Sequence, residues 1–162
     1  MTKIGIITVS DRSSRGERED LSGPEIRKWA EGQGYEVAEE TIVPDDLEDI
    51  KRALIDFSDK GITLIFTTGG TGFAPRDNTP EATRAVIERE TPGFAEVMRA
   101  RSLEITPHAM LSRAVSGIRK QSLIVNLPGS PKAVRENLEF IQGALPHGAA
   151  LLQNSVTDCG SL

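Results

Sequence analysis

Only one cysteine, Cys159, occurs among the 162 residues. A lone thiol cannot close an intramolecular disulfide or build a multi-cysteine metal site, and its place near one end suits an exposed, inert group better than a nucleophile. Long apolar runs are also missing. The longest, AALL at 149–152, has four residues, where a membrane span needs about 20. The first apolar stretch turns polar at Ser10, Asp11 and Arg12 before a signal-peptide core develops, so the expectation is a soluble, cytoplasmic protein with no membrane association. Basic charge is in deficit: 19 Lys and Arg against 24 Asp and Glu leave a net charge of −5. This disfavours nucleic acid as a partner, and a phosphate ligand would need a local basic pocket or a metal ion. The two histidines, His108 and His147, are not spaced as a metal pair and read as structural or surface residues. No Ser/His/Asp constellation is readable. With seven aromatics in all (Phe 5, Trp 1, Tyr 1), the core must be built from aliphatics.

What remains is an alternation of strand and helix signals. The length suits a single domain over 1–162, since domains run to about 100–200 residues. Residues 3–10 (KIGIITVS), 62–68 (ITLIFTT) and 122–127 (SLIVNL) are short β-branched runs of the kind buried on both faces of a sheet. Residues 35–43 form a weaker strand, interrupted by Glu39 and Glu40. Helical stripes lie between them: Ile26, Trp29 and Ala30 after Pro24, then Leu47, Ile50, Leu54 and Phe57, and later Val134, Leu138, Ile141 and Leu145. From 79 to 118 the pattern is helical but broken at Pro92-Gly93 and at Pro107, which predicts three short helices. Strands that alternate with helices imply an α/β fold with a parallel sheet covered on both faces.

Ligands of such sheets bind beyond the carboxyl ends of the strands, where loops converge and helix N-termini point free N–H groups outward. Four loops qualify, at 10–14, 44–46, 69–77 and 128–132. In the third, Gly69, Gly70 and Gly72 surround Thr71, and glycines in this density let successive amides turn toward an anion. Neither a P-loop nor a G-x-G-x-x-G spacing is present. Thr79-Pro80-Glu81 reads as N-cap, first-turn proline and acidic first turn, which sets Arg76 and Asp77 just ahead of a helix. Arginine pairs with phosphate, whereas an aspartate beside it suits an anion site only when it binds Mg²⁺ or accepts from the substrate. A bland reading competes at each place: a surface ion pair for Arg76 and Asp77, helix caps for Asp45 and Asp46, and an ordinary turn with an exposed lysine for Ser130 and Lys132.

Three long segments, VSDRSSRG at 9–16, TTGGTGFAPRDNTPEAT at 67–83 and the stretch at 90–134 ending in SLIVNLPGSPKAV, closely resemble the molybdopterin-binding family of Mog and MoaB proteins and the G domain of gephyrin. The resemblance implies a three-layer α/β/α fold with a mostly parallel sheet, assembled as a homotrimer. It further implies a molybdopterin adenylyltransferase of molybdenum-cofactor biosynthesis, which uses ATP with Mg²⁺, releases pyrophosphate and passes its product to a separate, MoeA-like metal-insertion protein. No tightly bound prosthetic group is expected. A non-catalytic, MoaB-like molybdopterin carrier is the alternative.

Carried over residue by residue, the resemblance makes Asp45 and Asp77 the two essential acidic positions, with Asp77 organising Mg²⁺ or the reacting phosphates and Asp45 holding molybdopterin. Gly69, Gly70, Thr71 and Gly72 match the loop that contacts nucleotide and pterin, Pro128, Gly129, Ser130 and Pro131 match a second turn, and Ser112 matches a molybdopterin-binding serine. Ser10, Asp11, Arg12, Arg76 and Lys132 complete the expected substrate-binding set, the three cations offsetting phosphate charge. Asn78 departs from the family pattern, which has an apolar residue there. The widely separated pieces at Asp45, 69–77 and 128–131 are expected to surround a single cavity.

Overall fold

β-Branched and aliphatic runs become strands in parallel wherever a helix follows them. The computed structural model describes residues 1–154, so Cys159 lies outside the described residues. In chain order the elements are β1 (Lys3–Val9), α1 (Asp11–Ser14), α2 (Ser22–Gly32), β2 (Glu36–Val43), α3 (Leu47–Asp59), β3 (Leu64–Thr68), α4 (Thr79–Val86) and β4 (Arg89–Glu90). There follow α5 (Pro92–Leu103), a 3-10 turn at Pro107–Leu111, β5 (Ser116–Arg119), β6 (Ser122–Leu127), α6 (Pro131–Ile141) and α7 (Leu145–Leu152). The strands form one six-stranded sheet in the order β2-β1-β3-β6-β5-β4. β2, β1, β3 and β6 run parallel, and β5 and β4 extend the far edge antiparallel.

Period-two alternation divides the apolar side chains between two layers. Ile4, Ile6, Leu64, Phe66 and Val125 face α2, α5, α6 and α7, where Ile26, Ala30, Met98, Leu138 and Leu145 meet them. Ile7, Ile65 and Ile124 face α3 and α4 through Ile50, Leu54, Phe57 and Val86. Each such buried aliphatic contributes about 1.5–3 kcal/mol. The result is the three-layer α/β/α architecture. Its consequence for function is directional: parallel β1, β2, β3 and β6 all deliver their following loops to the same sheet edge.

Four local features differ from the sequence-based expectation. Residues 116–119 form β5 rather than helix, because a tight turn at Lys120 and Gln121 folds them back on β6. Lys120 adopts φ 54, a left-handed conformation for which glycine or asparagine is the usual signal. Its N–H is held instead by Glu88 Oε1 at 2.6 Å. Asp11–Ser14 forms the short helix α1, capped by Ser10, whose Oγ accepts from Ser13 N at 3.1 Å. Pro146, which by sequence interrupts the helix carrying Val134, Leu138, Ile141 and Leu145, lies instead in the first turn of a separate helix, α7, where no proline N–H is needed. Leu47, the first residue of the α3 stripe, is exposed, and the buried face starts at Ile50.

Candidate functional site

The site grows from two glycines at which any side chain would be strained. Gly69 and Gly70 have φ values of +96 and +71, and a Cβ at either would collide with a neighbour. At Gly69 it would strike the Val9 carbonyl oxygen, and at Gly70 the Thr79 hydroxyl, with Asp45 Oδ1 only 3.2 Å away. The turn after β3 is therefore threaded between the end of β1 and the start of α4. Thr79 secures it from within: its N–H donates to the Gly70 carbonyl at 3.1 Å and its hydroxyl to the Gly69 carbonyl at 3.0 Å. Thr79 is thus a first-turn helical residue and not the cap, a position taken by Asn78.

Asp11, at the end of β1, and Asp45, at the end of β2, exchange hydrogen bonds, each backbone N–H donating to the other's carboxylate at 2.9 Å. Arg76 reaches across from the glycine loop and donates to both oxygens of Asp11, at 2.6 and 2.9 Å. The partner of Arg76 is therefore Asp11 and not its neighbour Asp77. Asp77 Oδ2 accepts from Ala74 N at 3.0 Å and lies where a Cβ on Gly72 would approach to 3.0 Å. The cap of α3 is Asp46, whose Oδ2 accepts from Asp49 N at 3.1 Å. This frees Asp45 for the site. Asn78 donates from its amide to the Asp45 carbonyl at 3.3 Å, so the residue that departs from the family pattern ties the second loop to the third.

The fourth loop closes the set. Thr68 Oγ1 donates to the Pro128 carbonyl at 2.6 Å, and Ser22 Oγ to the Gly129 carbonyl at 2.5 Å. A Cβ on Gly129 would sit 3.5 Å from the Gly69 Cα, in ordinary contact, so the third and fourth loops lie side by side. Ser130 caps α6 by accepting from Ala133 N at 3.2 Å.

All four loops thus meet at one sheet edge, but they do not enclose a single cavity. Two hollows flank the glycine turn. One, of about 270 Å³, is lined by Thr71, Gly72, Ser112, Pro128 and apolar residues such as Met98. The other, of about 170 Å³, is lined by Ser10, Ser13, Asp20, Gly69, Gly129 and Pro131. Asp11, Asp45, Arg76 and Asp77 line neither hollow. Arg12 and Lys132 are exposed and line neither as well. His108, which by sequence reads as a structural or surface residue, lines the larger hollow. Arg99 in that hollow and Arg18 in the smaller one were missed, because an isolated basic residue in a helix or polar loop carries no pattern of its own.

Asp45 and Asp11 titrate in opposite directions. Burial pushes the Asp45 carboxyl above the usual carboxylate range, with the Asp11 and Asp77 charges adding to the effect and the Asp11 N–H opposing it. The Arg76 guanidinium holds Asp11 below that range. Among the described residues no group of three His, Cys, Asp or Glu can cage a metal. Each of Asp45 and Asp77 has one carboxylate oxygen engaged by a backbone N–H, while the other accepts from no group among the described residues. Two carboxylates with a free oxygen each fit Mg²⁺, which commonly takes only one or two protein carboxylates and completes its shell with phosphate oxygens and water.

Fold and site together define an α/β protein whose candidate site lies beyond the carboxyl ends of its parallel strands. The chain belongs to the family described as "Probable molybdopterin binding domain", whose model matches residues 5–147. It is 48% identical over 145 residues to a molybdopterin adenylyltransferase of Haemophilus influenzae, covering 88% of this chain and 74% of that one. It is 44% identical over 161 residues to gephyrin of Dictyostelium discoideum, covering 93% of this chain but spanning only 22% of gephyrin. Its fold superposes on that of the molybdopterin biosynthesis enzyme MoaB of Thermus thermophilus with a TM-score of 0.90, at 50% identity, covering 95% of this chain and 98% of that one.

Proposed function

We propose that the chain is a molybdopterin adenylyltransferase of molybdenum-cofactor biosynthesis. In this reaction a phosphate oxygen of molybdopterin forms a bond to the α-phosphorus of ATP, the bond from that phosphorus to the α,β-bridging oxygen breaks, and pyrophosphate leaves. The observation that carries the reading is the meeting of Asp45, Asp77 and the glycine turn at one edge of the sheet in a chain so similar to an enzyme of that name.

Both reacting groups are anions, so most of the barrier is electrostatic and much of the remainder is alignment. The apolar hollow beside Ser112 suits the flat pterin, and the polar hollow between Ser10 and Gly129 suits the nucleotide. The Gly70, Thr71 and Gly72 amides receive phosphate oxygens across the ridge between them, the Gly69 N–H being committed to the Leu127 carbonyl. Asp77, with Asp45 as second candidate, would hold Mg²⁺, whose chemistry is to neutralise phosphate charge. Because Arg76 is committed to Asp11, it acts by holding that carboxylate in place, and Arg12 and Lys132 remain as exposed cations for the triphosphate. Asp45 holds molybdopterin by accepting hydrogen bonds. The chain acts as one domain over 1–162, as a homotrimer in the cytoplasm, and hands its product to a MoeA-like insertion protein.

The alternative is a MoaB-like carrier that binds molybdopterin without chemistry. One assay separates the two. Pyrophosphate released from ATP with Mg²⁺ only when molybdopterin is added supports the transferase, whereas molybdopterin binding without release assigns the carrier role. Excess chelator is expected to abolish the release.

A further inference from the structure

Arg113 follows Ser112 in the stretch that links the 3-10 turn to β5, and its donors are divided between the loop that carries Asp77 and Glu81. Its backbone N–H donates to the Thr71 carbonyl at 2.8 Å. Its Nε donates to the Gly72 carbonyl and its Nη2 to the Asp77 carbonyl, both at 2.8 Å. Glu81, in the first turn of α4, fixes the guanidinium by accepting from Nη1 at 2.6 Å and from Nη2 at 3.3 Å. The far side of the stretch is anchored too. Arg99 Nη1 donates to the Ala114 carbonyl at 2.8 Å, and Asn126 Oδ1 accepts from Val115 N at 3.1 Å.

A surface loop ordinarily turns its carbonyls to water, yet here three of them converge on one residue. A trans peptide points its C=O and N–H in opposite directions, and no peptide bond among the described residues is cis. The amides of Gly72, Phe73 and Asn78 therefore face away from Arg113. The rigid five-donor fork of arginine can hold this arrangement, which a single ammonium cannot.

We infer that Arg113 is a positioning residue for adenylyl transfer: it clamps the 71–77 loop so that Asp77 stands at a set distance from Ser112 and the larger hollow. The inference rests on the transferase activity proposed above. Misalignment of reacting groups by about 1 Å costs about 10²-fold in rate, so Arg113→Lys is expected to lower kcat to about that extent. KM for molybdopterin should change less than kcat, because Ser112 and the apolar wall of the larger hollow lie outside the clamped loop. In Arg113→Ala, added guanidinium ion at non-denaturing concentration should restore part of kcat, and it should restore none in Asp77→Ala. A wild-type kcat in Arg113→Lys, or a loss confined to KM, overturns the inference, as does failure of guanidinium to rescue Arg113→Ala. Should wild-type protein release no pyrophosphate, the proposed function itself fails. The clamp is then tested by hydrogen exchange at the amides of 71–78, where faster exchange in Arg113→Lys supports it and unchanged exchange overturns it.

Discussion

Asp11 and Asp45, 34 residues apart, hold each other through reciprocal hydrogen bonds, the N–H of each donating to the carboxylate of the other at 2.9 Å. Two carboxylates in contact repel, and the structure resolves the conflict unequally. Arg76 neutralises Asp11 and lowers its pKa, while Asp45 is left partly buried with its pKa raised. The pair fixes the first loop to the second and leaves one Asp45 oxygen open toward the glycine turn.

Opposite pH dependences follow for the two neutralised variants. Asp45 is ionised at pH 7 at a cost to the folded state, so Asp45→Asn should stabilise the protein there, and the gain should vanish below about pH 4, where the unfolded carboxyl is also protonated. Asp11 contributes stability above about pH 4 that is lost as pH falls through its depressed native pKa. Asp11→Asn should therefore destabilise at pH 7, with the loss shrinking as acid is added. Urea unfolding across this range reads both signs, and equal pH profiles would contradict the assignment of charge.

Gly70→Ala is expected to cost about 1–3 kcal/mol from its left-handed backbone alone. The new methyl would also displace the Thr79 hydroxyl and crowd Asp45, so adenylyl transfer should fall more steeply than stability. Thermal unfolding and turnover measured on one preparation check both, and a variant with wild-type turnover would remove the turn from the site.

Asn126→Leu tests how the core supports the site. The Asn126 amide donates to Thr67 and Thr83, each at 3.0 Å, and accepts from Val115 N. Leucine would leave the Val115 N–H and both hydroxyls without this partner, at about 3 kcal/mol or more. Denaturant unfolding measures the loss, and a change under about 1 kcal/mol would show that water replaces the amide.

The parallel core and the sheet edge where the four loops meet were legible because they rest on local pattern. Buried strands show as β-branched runs, and the glycine turn, Asp45 and Asp77 fall at strand ends where ligands of such sheets bind. Ser112 came only from family resemblance, since nothing in its spacing marks it. β5 was hidden because Lys120 occupies a conformation that normally announces itself by glycine or asparagine. Arg113 was invisible for another reason: its partners are mostly carbonyl oxygens, which every residue has. The division into two hollows could not be read, because it depends on how loops more than 50 residues apart in the chain pack against one another.

Adenylyl-molybdopterin formation by Asp77→Ala beside Asp46→Ala is the most direct measurement. Asp46 only caps α3, so its loss should cost about 1 kcal/mol of stability and leave product formation near wild type. Asp77→Ala should fold normally and form product about 10²–10³-fold more slowly, the usual cost of removing one electrostatic group from such a site. Product formed by Asp77→Ala at the wild-type rate would contradict the account.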